Sequence, residues 1–257
     1  MGTALRARVE IEGIGFDPIS LDGAVDELTE VIEAGRSSHV VTANLDYLRM
    51  VRDDVELGSI LDGADLVVAD GVPVLWLARF NGRALPGRVN GTDLVVRLLE
   101  LAGARGWRVA FVGGDPGVAE AAAAAAQARW GVVSSLAVGP SPAEVDDPVT
   151  GADLAASIAA TGTQLLLLGI SAGRQQRFIE THRAALGACV GIGCGSALDY
   201  VAGTRARAPR WMQRAGLEWA WRLGAEPRRL ARRYLVDDLP VLVRGVARRL
   251  RAGVARP

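Results

Sequence analysis

Residues 107–130 read WRVAFVGGDPGVAEAAAAAAQARW. RVAFV has strand length and composition, and GGDPG is a turn, because glycine and proline punctuate both element types. The alanine-rich stretch from Val118 to Trp130 then reads as a helix. The same unit recurs on either side. Toward the N-terminus, HVVTAN (39–44) and ADLVVADG (64–71) are short buried strands. Helical patterns run from Asp22 to Ala34, Asp46 to Leu61 and Gly91 to Ala104, the last predicted to be capped by Thr92 or Asp93. Toward the C-terminus, VVSSLAVG (132–139), TQLLLLGIS (163–171) and ACVGIGCG (188–195) are strands, with helices at Gly151–Ala160 and Gly173–Leu186. RVEIEGIGF (8–16) reads as one strand, and GPSPAEVDDPVT (139–150) as a polar loop. This alternation predicts an α/β fold with a mostly parallel sheet and helices on its faces.

The chain has 257 residues, of which 50% are hydrophobic and 23% charged, and this excludes a disordered chain. No apolar run approaches the about 20 residues a membrane-spanning helix needs. The N-terminal MGTALRARVEIEG lacks the apolar centre of a secretory signal. Cys189 and Cys194 have no metal-ligand spacing, so a reducing compartment is expected. His39 and His182 form no metal motif, and His39 is expected to be buried or at an edge.

All 29 basic residues are arginine. Fourteen follow Gly203, against four acids there (Glu218, Glu226, Asp237 and Asp238). By this count the body is about −10 and the tail about +10, which suggests a polyanionic partner. Residues 1–203 read as the core and residues 204–257 as a basic helical appendage. Its segments Pro209–Leu223, Pro227–Val236 and Pro240–Arg251 each open on proline, which suits a first helical turn. Three readings of the tail stay open: a membrane interface facing anionic lipid, a nucleic-acid patch, and a helix whose arginines pair with the acidic body.

In parallel α/β sheets, ligands bind beyond the carboxyl ends of the strands. That rule selects Thr42, Asn44, Asp70, Gly113 to Asp115 (including Gly114), Gly169 to Ser171 and Gly193 to Ser196. Asp70 can act as a general base, ligate a metal or cap a helix. Asn44 can serve the crevice or cap the helix after it. Arg88, in the loop GRVNGTDL, can bind a diphosphate. The amides after FVGG can hold phosphate, and Asp115 is expected to cap that helix. Gln175 can face the crevice or sit exposed on its helix. No G-x-G-x-x-G, Walker or G-x-S-x-G pattern occurs, and no Asp-x-Asp is present to hold a metal on a diphosphate.

In order, TANLD, ADLVVADGVPV, RVNGTDL, FVGGDPG, GRQQRFI, RAPRWMQRAGLEWAWRL and EPRRLARRYL closely resemble the WecG/TagA/CpsF family, glycosyltransferase family 26. The resemblance covers the chain from about Val9 to about Leu235. It implies a Rossmann-like GT-E fold with a C-terminal appendage. It also implies an inverting bacterial transferase without metal or other cofactor. Such an enzyme moves a sugar from a UDP-sugar, best known as N-acetylmannosamine or its uronic acid, to a polyprenyl-diphosphate-linked sugar.

The resemblance further implies a cytoplasmic enzyme held peripherally at the inner membrane face, with an anionic membrane surface as partner. Nucleic acid is not expected, and a homo-oligomer burying the apolar tail is a further expectation. By match to the family's motifs, Asp70 is the catalytic base, Thr42 and Asn44 lie near the acceptor or donor sugar, and Gln175 joins them as a candidate catalytic residue. Arg88 holds phosphate, and Arg207, Arg210 and Arg214 face the lipid diphosphate. Asp199, after the last strand, joins the candidate substrate-binding residues. The sequence departs from the family at Gly173, where proline is usual, at Gln176, where glutamate is usual, and at Gly87, where many members carry glutamate. A base flanked by so much positive charge is expected to have a lowered pKa. The alternative reading is a non-catalytic nucleotide-sugar or nucleic-acid-binding module.

Overall fold

The structure, a computed structural model, describes residues 7–238 and 240–244. The chain begins with β1 (Val9–Ile11), β2 (Ile14–Phe16), α1 (Leu21–Glu33), β3 (Ser38–Ala43), α2 (Leu45–Met50) and α3 (Val55–Gly63). It continues through β4 (Leu66–Ala69), α4 (Val72–Phe80), α5 (Gly91–Arg105), β5 (Arg108–Gly113), α6 (Val118–Trp130) and β6 (Val133–Val138). Next come α7 (Pro142–Asp146), α8 (Pro148–Ala160), β7 (Leu165–Gly169), α9 (Ala172–Thr181), α10 (Arg183–Leu186), β8 (Val190–Gly193) and α11 (Ala197–Ala202). The tail carries α12 (Arg210–Arg214), α13 (Glu218–Ala225), α14 (Pro227–Ala231) and a π-helical segment, Arg232–Asp238.

The main sheet is fully parallel, in the order β4-β3-β8-β7-β5-β6. Successive strand residues face opposite layers. Val40, Val68 and Phe111 pack with α1, α5 and α6, whereas Val41 and Val67 pack with α2, α3 and α4. Ala110, Val112, Leu166 and Leu168 pack with α8 and α9. The predicted α/β architecture, Rossmann-like with helices on both faces, is thus the architecture found.

Local departures have local causes. The first predicted strand is a hairpin, because Glu12 and Gly13 adopt φ of 50° and 90° and turn the chain. The helix read from Asp46 to Leu61 breaks in two, since Asp54 starts α3 by accepting the Leu57 N–H at 3.0 Å. The loop at 139–150 contains α7 and the start of α8; Ser141 and Glu144 form a capping box. The helix read from Pro209 to Leu223 is two, α12 and α13, with Gly216 at φ 72° between them. Helices α4 and α11 lie where the sequence reading has only a turn and the end of the last strand.

The tail folds back on the body. Leu230 and Val241 are buried, Val241 beside Ile11, Leu61 and Leu77. Arg205 meets Asp199 at 3.2 Å, Arg207 meets Asp93 at 2.7 Å and Arg233 meets Asp46 at 3.1 Å. Of the three readings of the tail, pairing with the acidic body accounts for these arginines.

Candidate active site

Parallel pairing of β3 with β4 brings Thr42, Asn44 and Asp70 to one corner of the sheet's carboxyl edge. Asp70 follows β4, and its N–H donates to Ala43 O at 2.9 Å. The chain returns across this corner at Val89, whose N–H donates to Ala69 O at 2.9 Å. That return delivers Arg88 and Asn90. Asn90 Oδ1 caps α5, accepting from the N–H groups of Thr92 at 3.1 Å and Asp93 at 3.2 Å. The cap is therefore Asn90, not Thr92 or Asp93, because the side chain one residue before the helix reaches its free amides. Asn90 Nδ2 donates to Asp70 Oδ1 at 3.0 Å, and the Gly91 N–H also donates to this carboxyl.

Burial pushes the Asp70 carboxyl up to about 6, against the pull of Arg88, the Gly91 N–H and Arg222; Glu218 adds to the rise. The expectation of a lowered pKa is corrected. The carboxyl group is ringed by protein, so lost hydration outweighs the nearby cations. The residue keeps a partly exposed edge. A carboxylate at about 6 is mostly ionised at neutral pH and is a stronger base than an ordinary aspartate.

Thr42 is buried, and its Oγ1 donates to Gly193 O at 3.3 Å. Asn44 caps α2, its Oδ1 accepting the Asp46 N–H at 3.0 Å. Gln175 is only 3% exposed, which removes the exposed-helix alternative. Its Nε2 donates to Tyr47 Oη at 3.0 Å, and its Oε1 accepts the Gly195 N–H at 3.3 Å.

Close packing explains the glycines at the edge. The Gly114 N–H donates to Gly169 O at 2.8 Å. A Cβ on Gly113 would lie 2.7 Å from Gly169 O, and one on Gly169 would lie 2.9 Å from Gly195 O. On Gly114 it would lie 2.6 Å from Val118 Cγ1. These three glycines let the turns after β5, β7 and β8 touch. Asp115 does not cap α6: Gly117, at φ 85°, holds the cap position without a side-chain bond.

The cations are distributed differently from the sequence reading. Arg88 Nη1 donates to Glu218 Oε2 at 3.0 Å. Arg207 is fully engaged: Nε donates to Glu218 Oε1 at 3.1 Å, Nη2 to Asn90 Oδ1 at 3.2 Å, and Nη1 pairs with Asp93. It clasps α13 to the start of α5. Arg210 is exposed, and the side chain of Arg214 lies outside the described residues. Asp199 is buried and holds Arg205; burial pushes its carboxyl up, against the pull of that arginine.

Sequence reasoning missed Arg222. This arginine on α13 lies in the field of the Asp70 and Glu226 carboxyls, and its Nε is buried without a hydrogen-bond partner among the described residues. The signal was present in the Trp-x-x-Arg spacing of the tail, but nothing local tells an inward arginine from thirteen others. Among the described residues, no group of three or more His, Cys, Asp or Glu is placed to hold a metal ion.

A parallel α/β sheet with a carboxylate and arginines at one corner of its carboxyl edge suits a transferase acting on an anionic donor. Comparison with known families supplies the class: this is a glycosyltransferase of cell-surface polysaccharide synthesis. Residues 9–254 match the family model, and the chain belongs to the WecG/TagA/CpsF glycosyl transferase family.

Proposed function

We propose that the protein is an inverting, metal-independent transferase that moves a sugar from a UDP-sugar to a polyprenyl-diphosphate-linked sugar. The donor sugar is of N-acetylmannosamine type, its uronic acid, or a hexose. The observation that carries this reading is Asp70, oriented by Asn90 and Gly91 beside Arg88 and Arg222. The acceptor hydroxyl oxygen attacks the anomeric carbon while Asp70 takes its proton. The bond from that carbon to the diphosphate oxygen breaks, and UDP leaves with the electron pair. One displacement inverts the anomeric configuration. Arg222, with an unpaired Nε, and Arg88 stabilise the charge that grows on the diphosphate.

The test is release of UDP from a panel of UDP-sugars, with a short-chain polyprenyl-diphosphate-N-acetylglucosamine as acceptor and EDTA present. Release that needs both substrates supports the proposal; silence beside an active family member refutes this choice of substrates. Arg88→Gln removes the largest attraction holding the Asp70 pKa down. The acid limb of kcat/KM against pH is therefore expected to move above its wild-type position near 6. An unmoved limb would show that Asp70 is not the group titrating.

Among the described residues, no helix is long and apolar enough to cross a membrane. A peripheral contact is supported by α4, which starts two residues after Asp70. Trp76, Arg79 and Phe80 share one exposed stripe at helical spacing, with Trp76 44% and Phe80 51% exposed. Aromatic and arginine side chains together suit the headgroup region of anionic lipid. Trp76→Ser with Phe80→Ser is expected to weaken partitioning onto phosphatidylglycerol-containing vesicles by at least about tenfold, since burial of one such side chain contributes about 1.5–3 kcal/mol. Transfer to a water-soluble short-chain acceptor should stay unchanged. Equal vesicle binding by the variant would remove α4 from the contact.

A further inference from the structure

Gln175 is held by a buried polar chain that runs beyond the GRQQRFI motif to Tyr47 and His39. Tyr47, on α2, is 2% exposed. Its hydroxyl donates to Ala172 O at 2.9 Å and accepts from Gln175 Nε2 at 3.0 Å and Gln176 Nε2 at 2.8 Å. A phenol has one proton and two acceptor sites, and a backbone carbonyl only accepts. The proton is therefore spent on Ala172, and both glutamines must turn their NH2 groups toward Tyr47.

Their carbonyl ends are thereby aimed. Gln175 Oε1 takes the Gly195 N–H at 3.3 Å. Gln176 Oε1 lies 2.7 Å from His39 Nε2, which carries the ring proton on that side. His39 Nδ1 faces Glu180 Oε2 at 3.1 Å, an ion pair when the ring is doubly protonated. Burial pushes the Tyr47 hydroxyl up to about 12, so it keeps its proton at any working pH. Gly193 makes room: a Cβ there would overlap Gln176 Nε2 and lie 2.7 Å from Gln175 Nε2.

We infer that Tyr47 is a positioning residue for the transfer reaction. Its hydroxyl sets the orientation of the Gln175 amide and, through the Gly195 N–H, the turn after β8 at the sheet's carboxyl edge. The inference rests on the transferase reading, in which Gln175 belongs to the site. It also accounts for a departure from the family pattern. At position 176 an ionised glutamate would have no N–H to give Tyr47, whereas glutamine serves Tyr47 and His39 together.

Tyr47→Phe keeps the ring and removes the hydroxyl. Below its melting temperature, kcat per folded molecule is expected to fall about tenfold to a hundredfold, with the donor KM within about threefold, as for a misplaced site group. The Gly195 amide should exchange its hydrogen faster. The Tyr47→Phe, Gln175→Ala double variant should lose no more activity than Gln175→Ala alone, because one residue acts through the other. Gln175→Glu removes that residue's own donor to Tyr47 with little change of shape and keeps an oxygen for the Gly195 N–H. It should speed Gly195 exchange too, and it supplies the test should Tyr47→Phe not fold. Additive losses overturn the inference, as does a lower melting temperature with unchanged kcat. If the wild type transfers nothing, the choice of substrates fails instead, and unchanged Gly195 exchange in the variants then overturns the positioning claim by itself.

Discussion

Asp70→Asn is expected to lower kcat about a thousandfold, the middle of the range for loss of a general base. Binding of UDP, followed by calorimetry, should stay within about threefold, because Asn fills the same space and leaves Arg88 and Arg222 in place. A binding module would show no loss. The pH profile adds a second check. Wild-type kcat/KM should fall below pH about 6 as Asp70 takes up its proton, and the variant's residual rate should lack that limb. Stability should move the other way. The folded-state pKa is raised above the ordinary carboxylate value, so the fold favours the protonated form. Asp70 therefore weakens the fold progressively as pH rises from 3.8 to about 6, and the full penalty persists above that range. A shift of about two units corresponds to about 3 kcal/mol at most. The variant is accordingly expected to melt no lower than wild type at neutral pH. A lower melting temperature would mean that the Asn90 and Gly91 hydrogen bonds, not desolvation, dominate at this carboxyl.

Removal of the residues after Gly203 is expected to abolish transfer and also to destabilise the body. Read from sequence, the tail is an appendage to the core. The packing predicts a costlier outcome. Val241 is buried in the core cluster of the body, and burial of a side chain of this size contributes about 1.5–3 kcal/mol. Asp199 and Asp46 would lose Arg205 and Arg233. Arg88 would lose Glu218, and Asp70 would lose the field of Arg222. A truncated chain should melt several degrees lower and transfer at less than about a thousandth of the wild-type rate, by the loss of charge stabilisation at the leaving group. An unchanged melting temperature would show the tail to be a separable unit. Wild-type transfer would remove Arg222 from the site.

Much of this was legible along the chain. The runs HVVTA, LVVA, RVAFV and LLLLG are local signals, because a strand buried on both faces needs apolar residues at every position. Asn44 and Asp70 were legible as strand-terminal polar residues, since the carboxyl edge of a parallel sheet is defined by where each strand stops. The caps were less so. Asn90, Thr92 and Asp93 are all cap formers, and only backbone geometry shows that Asn90 reaches the free amides and Asp70 together. The direction of the Asp70 pKa was misread because charges can be counted in a sequence and burial cannot.

The amino-acid order by itself determined the α/β architecture, the family, and the position of the carboxylate at the end of its strand. All three follow from short-range patterns of apolar, turn and strand-terminal residues. Tertiary structure alone decided which of fourteen tail arginines brings its charge within the field of Asp70, which clasps Glu218 and Asp93, and how Tyr47 meets two glutamines 128 and 129 residues away. Those outcomes depend on how helices dock across the sheet. Docking is governed by packing and desolvation summed over distant segments, a quantity that no window of sequence contains.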